Sequence, residues 1–188
     1  TLEVKALLSV TPALVADLSV GASGSLPGEF ANVNGTLFFA AHDAVNYFSL
    51  NFELWQSDGT ATGTTLVKDI LAGTESSSPR YLTNVNGTLF FSANDGTNGL
   101  ELWRSDGTAA GTTLVKDIRS GSNTSDLRYL TNVNGTLFFS ADNGTNGIEL
   151  WRSDGTAAGT TLVKDILTGT SSSNPRFLTN VNGTLYFQ

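Results

Sequence analysis

The chain has 188 residues, 39% of them apolar and 14% charged, with 20 glycines and neither cysteine nor methionine. The missing cysteines exclude a disulfide framework, a thiolate zinc site and a cysteine nucleophile, and a single histidine leaves no site that needs two imidazoles. Ten Lys+Arg stand against seventeen Asp+Glu, a net charge of −7 with the basic residues spread singly, so nucleic acid is excluded as a partner; no apolar run reaches the ~18 residues of a membrane span.

Residues 1–13 form an N-terminal segment, expected to be disordered or packed on the first unit. Leu14-Val15-Ala16-Asp17-Leu18 matches Leu66-Val67-Lys68-Asp69-Ile70, one unit later, so residues 14–31 are the tail of an earlier unit. From there one pattern repeats. Asn-Val-Asn-Gly-Thr-Leu-(Phe/Tyr)-Phe begins at Asn32, Asn84, Asn132 and Asn180, evenly spaced except for a slightly longer first step. Glu-Leu-Trp begins at Glu53, Glu101 and Glu149. The repeat region thus covers 14–188, with three complete units and two partial ones, and the first unit carries an insertion between His42 and Phe52.

Four strands are predicted in each unit, here numbered from the second. Arg80 to Val85 is followed by Asn86-Gly87, a type I′ hairpin signal because both central residues take positive φ. Thr88 to Ala93 is apolar without alternation, which points to burial on both faces. An Asn/Gly loop follows, then Leu100 to Ser105, a turn from Asp106 to Gly111, and a fourth strand from Thr112 to Ile118. A Gly/Ser/Thr linker leads to the next unit. No capped amphipathic stretch of helical length appears. Four such strands and their turns suit one blade of a β-propeller, since a lone blade cannot bury both faces of its sheet and stacked neighbours can. Trp55, Trp103 and Trp151 are then expected in the core between blades. A β-solenoid is the competing architecture, with shorter coils and fewer hairpins. The end of the chain, Phe177 to Gln188, is expected to supply only the front of a unit, which reads as a segment of a longer array.

The repeated motif Glu-Leu-Trp-(Gln/Arg)-Ser-Asp-Gly-Thr-Ala-(Thr/Ala)-Gly-Thr-Thr-Leu-Val-Lys-Asp-Ile, at 53–70, 101–118 and 149–166, resembles the ELWxxDGT repeat family of bacterial, mostly secreted proteins that are often labelled hyalin-like. The resemblance implies an exported or surface-attached repeat protein and carries no catalytic residues. The Ser-Asp-Gly-Thr turn is also similar to the Asp-box of sialidase-type blades, in which the Asp organises the hairpin. Near the start, Leu2-Glu3-Val4-Lys5-Ala6-Leu7-Leu8-Ser9 resembles the Leu-Glu-x-Arg-x-Leu-Leu-Ser segment of large exported planctomycete proteins, with Lys5 in place of the usual Arg. That match implies a location outside the cytoplasm.

Candidate residues follow from the pattern. Asp58, Asp106 and Asp154 are expected to fix turns by accepting backbone N–H bonds. Asp69, Asp117 and Asp165, each next to a Lys, are expected in solvated or cross-strand ion pairs. Asp95, Asn98, Asp142 and Asn146 offer hard oxygen ligands, so calcium is the cofactor to consider, although neither the EF-hand spacing nor the Gly-Gly-x-Gly-x-Asp repeat is present; turn geometry explains the same residues. The insertion offers His42, Asp43, Asn46, Tyr47 and Phe48 as groups that stack on and hydrogen-bond a sugar or peptide. The expectation is an all-β, propeller-like, non-enzymatic module at the cell surface, structural or adhesive, with a protein or glycan partner. The alternatives are a carbohydrate-binding or glycan-processing propeller and a calcium-dependent repeat.

Overall fold

A computed structural model describes residues 14–18, 24–42 and 51–188. Among these residues every regular element is a strand. The first unit has β1 (Gly28–Val33), β2 (Thr36–His42), β3 (Phe52–Ser57) and β4 (Thr65–Lys68). The second has β5 (Arg80–Val85), β6 (Thr88–Asn94), β7 (Leu100–Ser105) and β8 (Thr113–Lys116). The third has β9 (Arg128–Val133), β10 (Thr136–Asp142), β11 (Ile148–Ser153) and β12 (Thr161–Lys164); β13 (Thr179–Val181) and β14 (Thr184–Tyr186) follow. Each complete unit is a four-stranded antiparallel meander in chain order, and β13–β14 is a two-stranded hairpin. The predicted strands match these to within a few residues; the fourth is shorter than expected.

The register is the same in every sheet. Phe39, Phe91 and Phe139 lie directly opposite Trp55, Trp103 and Trp151. The hairpin between first and second strands turns through Asn34, Asn86, Asn134 and Asn182, with φ of 53°, 51°, 50° and 50°, each followed by a glycine at positive φ. Asn tolerates this left-handed conformation better than other side chains do, and Gly has no Cβ to obstruct it.

The second strand is buried on both sides, as its unbroken apolar run predicts. Leu89, Phe91 and Ala93 of β6, with Trp103 of β7, pack against Val33, Phe38, Leu54, Val67 and Ile70 of the first unit. The opposite face presents Phe90, Leu102, Val115 and Ile118 to Leu137, Phe139, Ala141 and Trp151 of the third. In the first unit Phe39, Ala41 and Trp55 meet Leu18 of the preceding tail. A large apolar side chain fully buried in this way stabilises by about 1.5–3 kcal/mol, so the stacking of sheets supplies each unit with most of its core. The indole N–H groups of Trp103 and Trp151 are buried without a hydrogen-bond partner, so packing rather than polar pairing positions these rings.

Polar side chains tie the units together at two levels. Asn84 Nδ2 donates to Asn32 O at 2.9 Å, Asn132 to Asn84 O at 3.1 Å and Asn180 to Asn132 O at 2.9 Å. The same asparagines accept, through Oδ1, the N–H of Gly87, Gly135 and Gly183 in their own hairpins. First strands β1, β5, β9 and β13 therefore lie side by side. At the other end of the sheet Lys68 Nζ donates to Thr112 O, and Lys116 Nζ to Thr160 O, both at 2.8 Å. Lys68 also sits 5.8 Å over the ring of Trp103.

Candidate functional site

Most of the repeated acidic residues hold loops. Glu53 Oε2 accepts the N–H of Ile70 at 2.9 Å and the hydroxyl of Ser77 at 2.6 Å, while its Oε1 accepts the N–H of Ser77 at 2.9 Å. Glu101 accepts the N–H groups of Ile118 and Arg119, and Glu149 those of Ile166 and Ser173 together with the Ser173 hydroxyl. One carboxylate thus joins the third strand, the end of the fourth and the linker to the next unit, whose backbone also bonds the strands: Ser125 N–H donates to Leu100 O, and Ser125 O accepts the N–H of Asp142. The location is costly for charge: burial pushes the Glu101 carboxyl up to about 7 and raises Glu53 as well, despite the hydrogen bonds that favour ionisation.

Asp58, Asp106 and Asp154 occupy the expected turns. Each accepts through Oδ1 the N–H and the hydroxyl of the Thr two residues on, at 2.7–2.9 Å. The Thr hydroxyl bond, then the N–H bond, lowers each of these carboxyls below the usual range. Thr108 Oγ1 accepts the N–H of Gly111, and a Cβ on Gly111 would lie 2.1 Å from Asp106 Oδ1. Ser105 Oγ shares a hydrogen bond with Thr112 and accepts the N–H of Gly107. The Ser-Asp-Gly-Thr-x-x-Gly-Thr string is therefore one closed hydrogen-bond circuit, and each small or hydroxylated residue in it has a stated partner.

The expected Lys–Asp pairs do not form. Each Asp lies just past the strand that its Lys ends, and Lys68 and Lys116 reach the next unit instead. Asp117 and Asp165 accept the N–H of Gly121 and Gly169. The ion pairs among the described residues are Arg119–Asp142 and Arg128–Asp126.

Of the candidate calcium ligands, Asp95 Oδ1 accepts the N–H of Thr97 and Asn98, and its Oδ2 accepts the Asn98 side chain at 2.7 Å. Burial alone would raise the Asp95 carboxyl, but these donors bring it below its ordinary value. Asn143 does the same work in the third unit, Asn146 donates to Asp165, and Asp142 pairs with Arg119. Among the described residues no three His, Asp or Glu side chains converge to hold a metal ion. In the insertion, Asp43, Asn46, Tyr47 and Phe48 lie outside the described residues. His42 ends β2 with its ring 1% exposed, edge-on to Phe52 at 5.1 Å, and neither ring nitrogen has a partner among the described residues.

A feature that the sequence reading missed recurs at the junctions between units. Three cavities of about 200, 270 and 190 Å³ occupy corresponding places there. The first is lined by Glu29, Ala40, Phe52 and Arg80; the second by Arg80, Tyr81, Ser92, Leu100, Asp126 and Arg128; the third by Arg128, Tyr129, Ser140, Ile148, Asn174 and Arg176. Each is lined by non-glycine residues in the left-handed region: Glu29, Tyr81 and Tyr129 with φ of 56°, 60° and 59°, and Ser78, Asp126 and Asn174 at 50°; Phe177, at 54°, repeats the conformation outside the linings. The ladder slips at the same places, between Gly28 and Ala31, between Arg80 and Thr83 and opposite Phe138–Ser140. Such bulges turn side chains out of the sheet. The arginines, one unit apart and solitary in the sequence, come to bracket a common cleft.

Comparison with family models, with curated proteins and with solved structures found no match to this chain. No helix among the described residues is long and apolar enough to cross a membrane.

Proposed function

We propose that the chain belongs to a propeller-like array of four-stranded blades, in the manner of the ELWxxDGT repeats it resembles, and serves outside the cell as a non-enzymatic structural or adhesive module. The observation that supports this reading most is the employment of the repeated polar residues: Glu101, Asp106, Asn84 and Lys116 each close a turn, clamp a linker or join two units. Catalysis requires polar groups that are left free to meet a substrate. Repetition instead multiplies surface and valency, and weak sites linked on one chain bind with avidity well above that of any one of them.

A second reading, glycan binding, is favoured by the arginine- and tyrosine-lined clefts. Both readings are tested with beads coated with the intact chain on surfaces bearing bacterial envelope or polysaccharide. Retention under flow is the expected result. Absence of retention refutes adhesion, and hydrolytic turnover that is lost in His42→Ala refutes the non-enzymatic reading.

A further inference from the structure

We propose that the junction clefts each take one ring of a carboxylate-bearing polysaccharide, and that the cleft between Arg128 and Arg176 binds most strongly. This rests on the binding-module reading above and specifies its ligand. A volume of about 190 Å³ lies below the ~300–1,000 Å³ of pockets for drug-sized molecules, which is room for a single ring. Tyr129 lines the third cleft, and the ring of Phe177 stands 6.0 Å from it at an angle of 53°. Aromatic faces of this kind pack on the apolar side of a sugar ring while Ser140 and Asn174 offer hydrogen bonds to hydroxyls. Guanidinium groups are suited to a carboxylate because they donate in a planar fork.

The backbone supports the assignment. A non-glycine residue held in a sparsely populated region is strained, and aromatic residues are poor occupants of the left-handed region. Yet the strained pair at 78 and 81 recurs at 126 and 129 and again at 174 and 177. Of these residues Ser78, Tyr81, Asp126, Tyr129 and Asn174 line the clefts. A peptide partner is less well suited, because strand addition needs a continuous run of unpaired backbone groups and these clefts are separate cups spaced one unit apart. A polymer that carries a carboxylate on each of its rings offers a charged group wherever a cup falls.

The clefts form a graded series. The first holds Arg80 together with the carboxylate of Glu29, which accepts the N–H of Tyr81 at 2.7 Å. The second holds Arg80 and Arg128 but also Asp126, 3.7 Å from Arg128. The third holds Arg128 and Arg176 with no carboxylate in its lining. With a net charge of −7 on the chain, attraction of an anion has to be local, and the order of affinity should follow this series.

The experiment is isothermal titration of the intact chain with tetragalacturonate, its methyl ester and tetraglutamate. The expected result is binding of tetragalacturonate, with the ester at least tenfold weaker and tetraglutamate without measurable heat. Arg176→Gln should weaken binding about tenfold or more, Asp126→Asn should strengthen it severalfold, and Arg152→Gln, exposed on the third strand away from the clefts, should leave it unchanged. Circular dichroism confirms that each variant is folded. Absence of binding, equal loss in Arg152→Gln and Arg176→Gln, or tetraglutamate binding as tightly as the sugar overturns the proposal. Adhesion that survives the combined Arg128→Gln and Arg176→Gln changes overturns the clefts and leaves the module standing; tetragalacturonate binding through these arginines without adhesion does the reverse.

Discussion

Replacing Glu101 by Gln removes a buried ionisable group while keeping its shape. In the folded chain this carboxyl is 0% exposed and titrates at about 7, against an ordinary 4.5. A raised carboxyl pKa means that the folded state holds the proton more tightly than the unfolded state. Stability from this group is therefore complete below about pH 4.5 and declines as pH rises through 7. At about 1.36 kcal/mol per pH unit, the interval from 4.5 to about 7 corresponds to a loss of roughly 3 kcal/mol. For a chain of this size each kcal/mol moves the melting temperature by about 2–4 °C, so the wild type should melt roughly 6–12 °C lower at about pH 8 than at about pH 5. Glu53 is raised too and contributes in the same direction. The Asp turns have the opposite sign, but their carboxyls lie below an ordinary 3.8 and so titrate beneath this window. Thermal melts followed by circular dichroism across the range, on wild type and Glu101→Gln, measure the effect. The variant should lose most of the slope, leaving the part due to Glu53. A wild-type melting temperature that does not fall with pH, or falls equally in the variant, refutes the reasoning.

Gly111→Ala forces a Cβ to within 2.1 Å of Asp106 Oδ1 and should destabilise by about 1–3 kcal/mol, as overpacking does; denaturant melts of Gly111→Ala, Asp106→Ala and the double variant should show less than additive loss, since the second change removes the obstruction. Lys68→Met breaks the bond to Thr112 O and the contact with Trp103, at an expected cost of about 1–3 kcal/mol, with the tryptophan emission shifted because the ammonium over the ring is gone. Asn84→Ala removes both the bond to Asn32 O and the acceptor for Gly87 N–H, so urea unfolding should show a loss of about 1–3 kcal/mol and the hydrogen exchange of Gly87 should accelerate.

Much of the architecture was legible because it is local. The near-constant step between units, the Asn-Gly turns and the unbroken apolar second strand each state a short-range physical requirement, and β5 to β8 lie where those requirements put them. The Asp106 turn was legible for the same reason, since its donor lies two residues away. Glu101 was given no role of its own within the Glu-Leu-Trp marker, because that role depends on a linker brought back over about half a unit. A serine at 77, 125 and 173, always at the same distance after the Glu, was the available signal. The Lys–Asp pairs were misjudged because each Lys ends its strand and is drawn to another unit; the partner of Lys68 is a carbonyl in the following unit, that of Thr112. The clefts were the least legible. Nothing in Arg80-Tyr81 announces a left-handed tyrosine, and no local pattern brings Arg128 and Arg176 to one cavity. Stacking of units creates that juxtaposition.

Residue-resolved NMR of the arginine Nε–Hε groups during titration of the intact chain with tetragalacturonate tests the central claim most directly, because it reports which part of the repeated surface meets the ligand. The resonances of Arg128 and Arg176 should move first, Arg80 at higher concentration, and Arg104 and Arg152 should stay in place. Movement of Arg104 and Arg152 with Arg176 unaffected, or no movement at all, contradicts an account in which the junctions between units are the working sites.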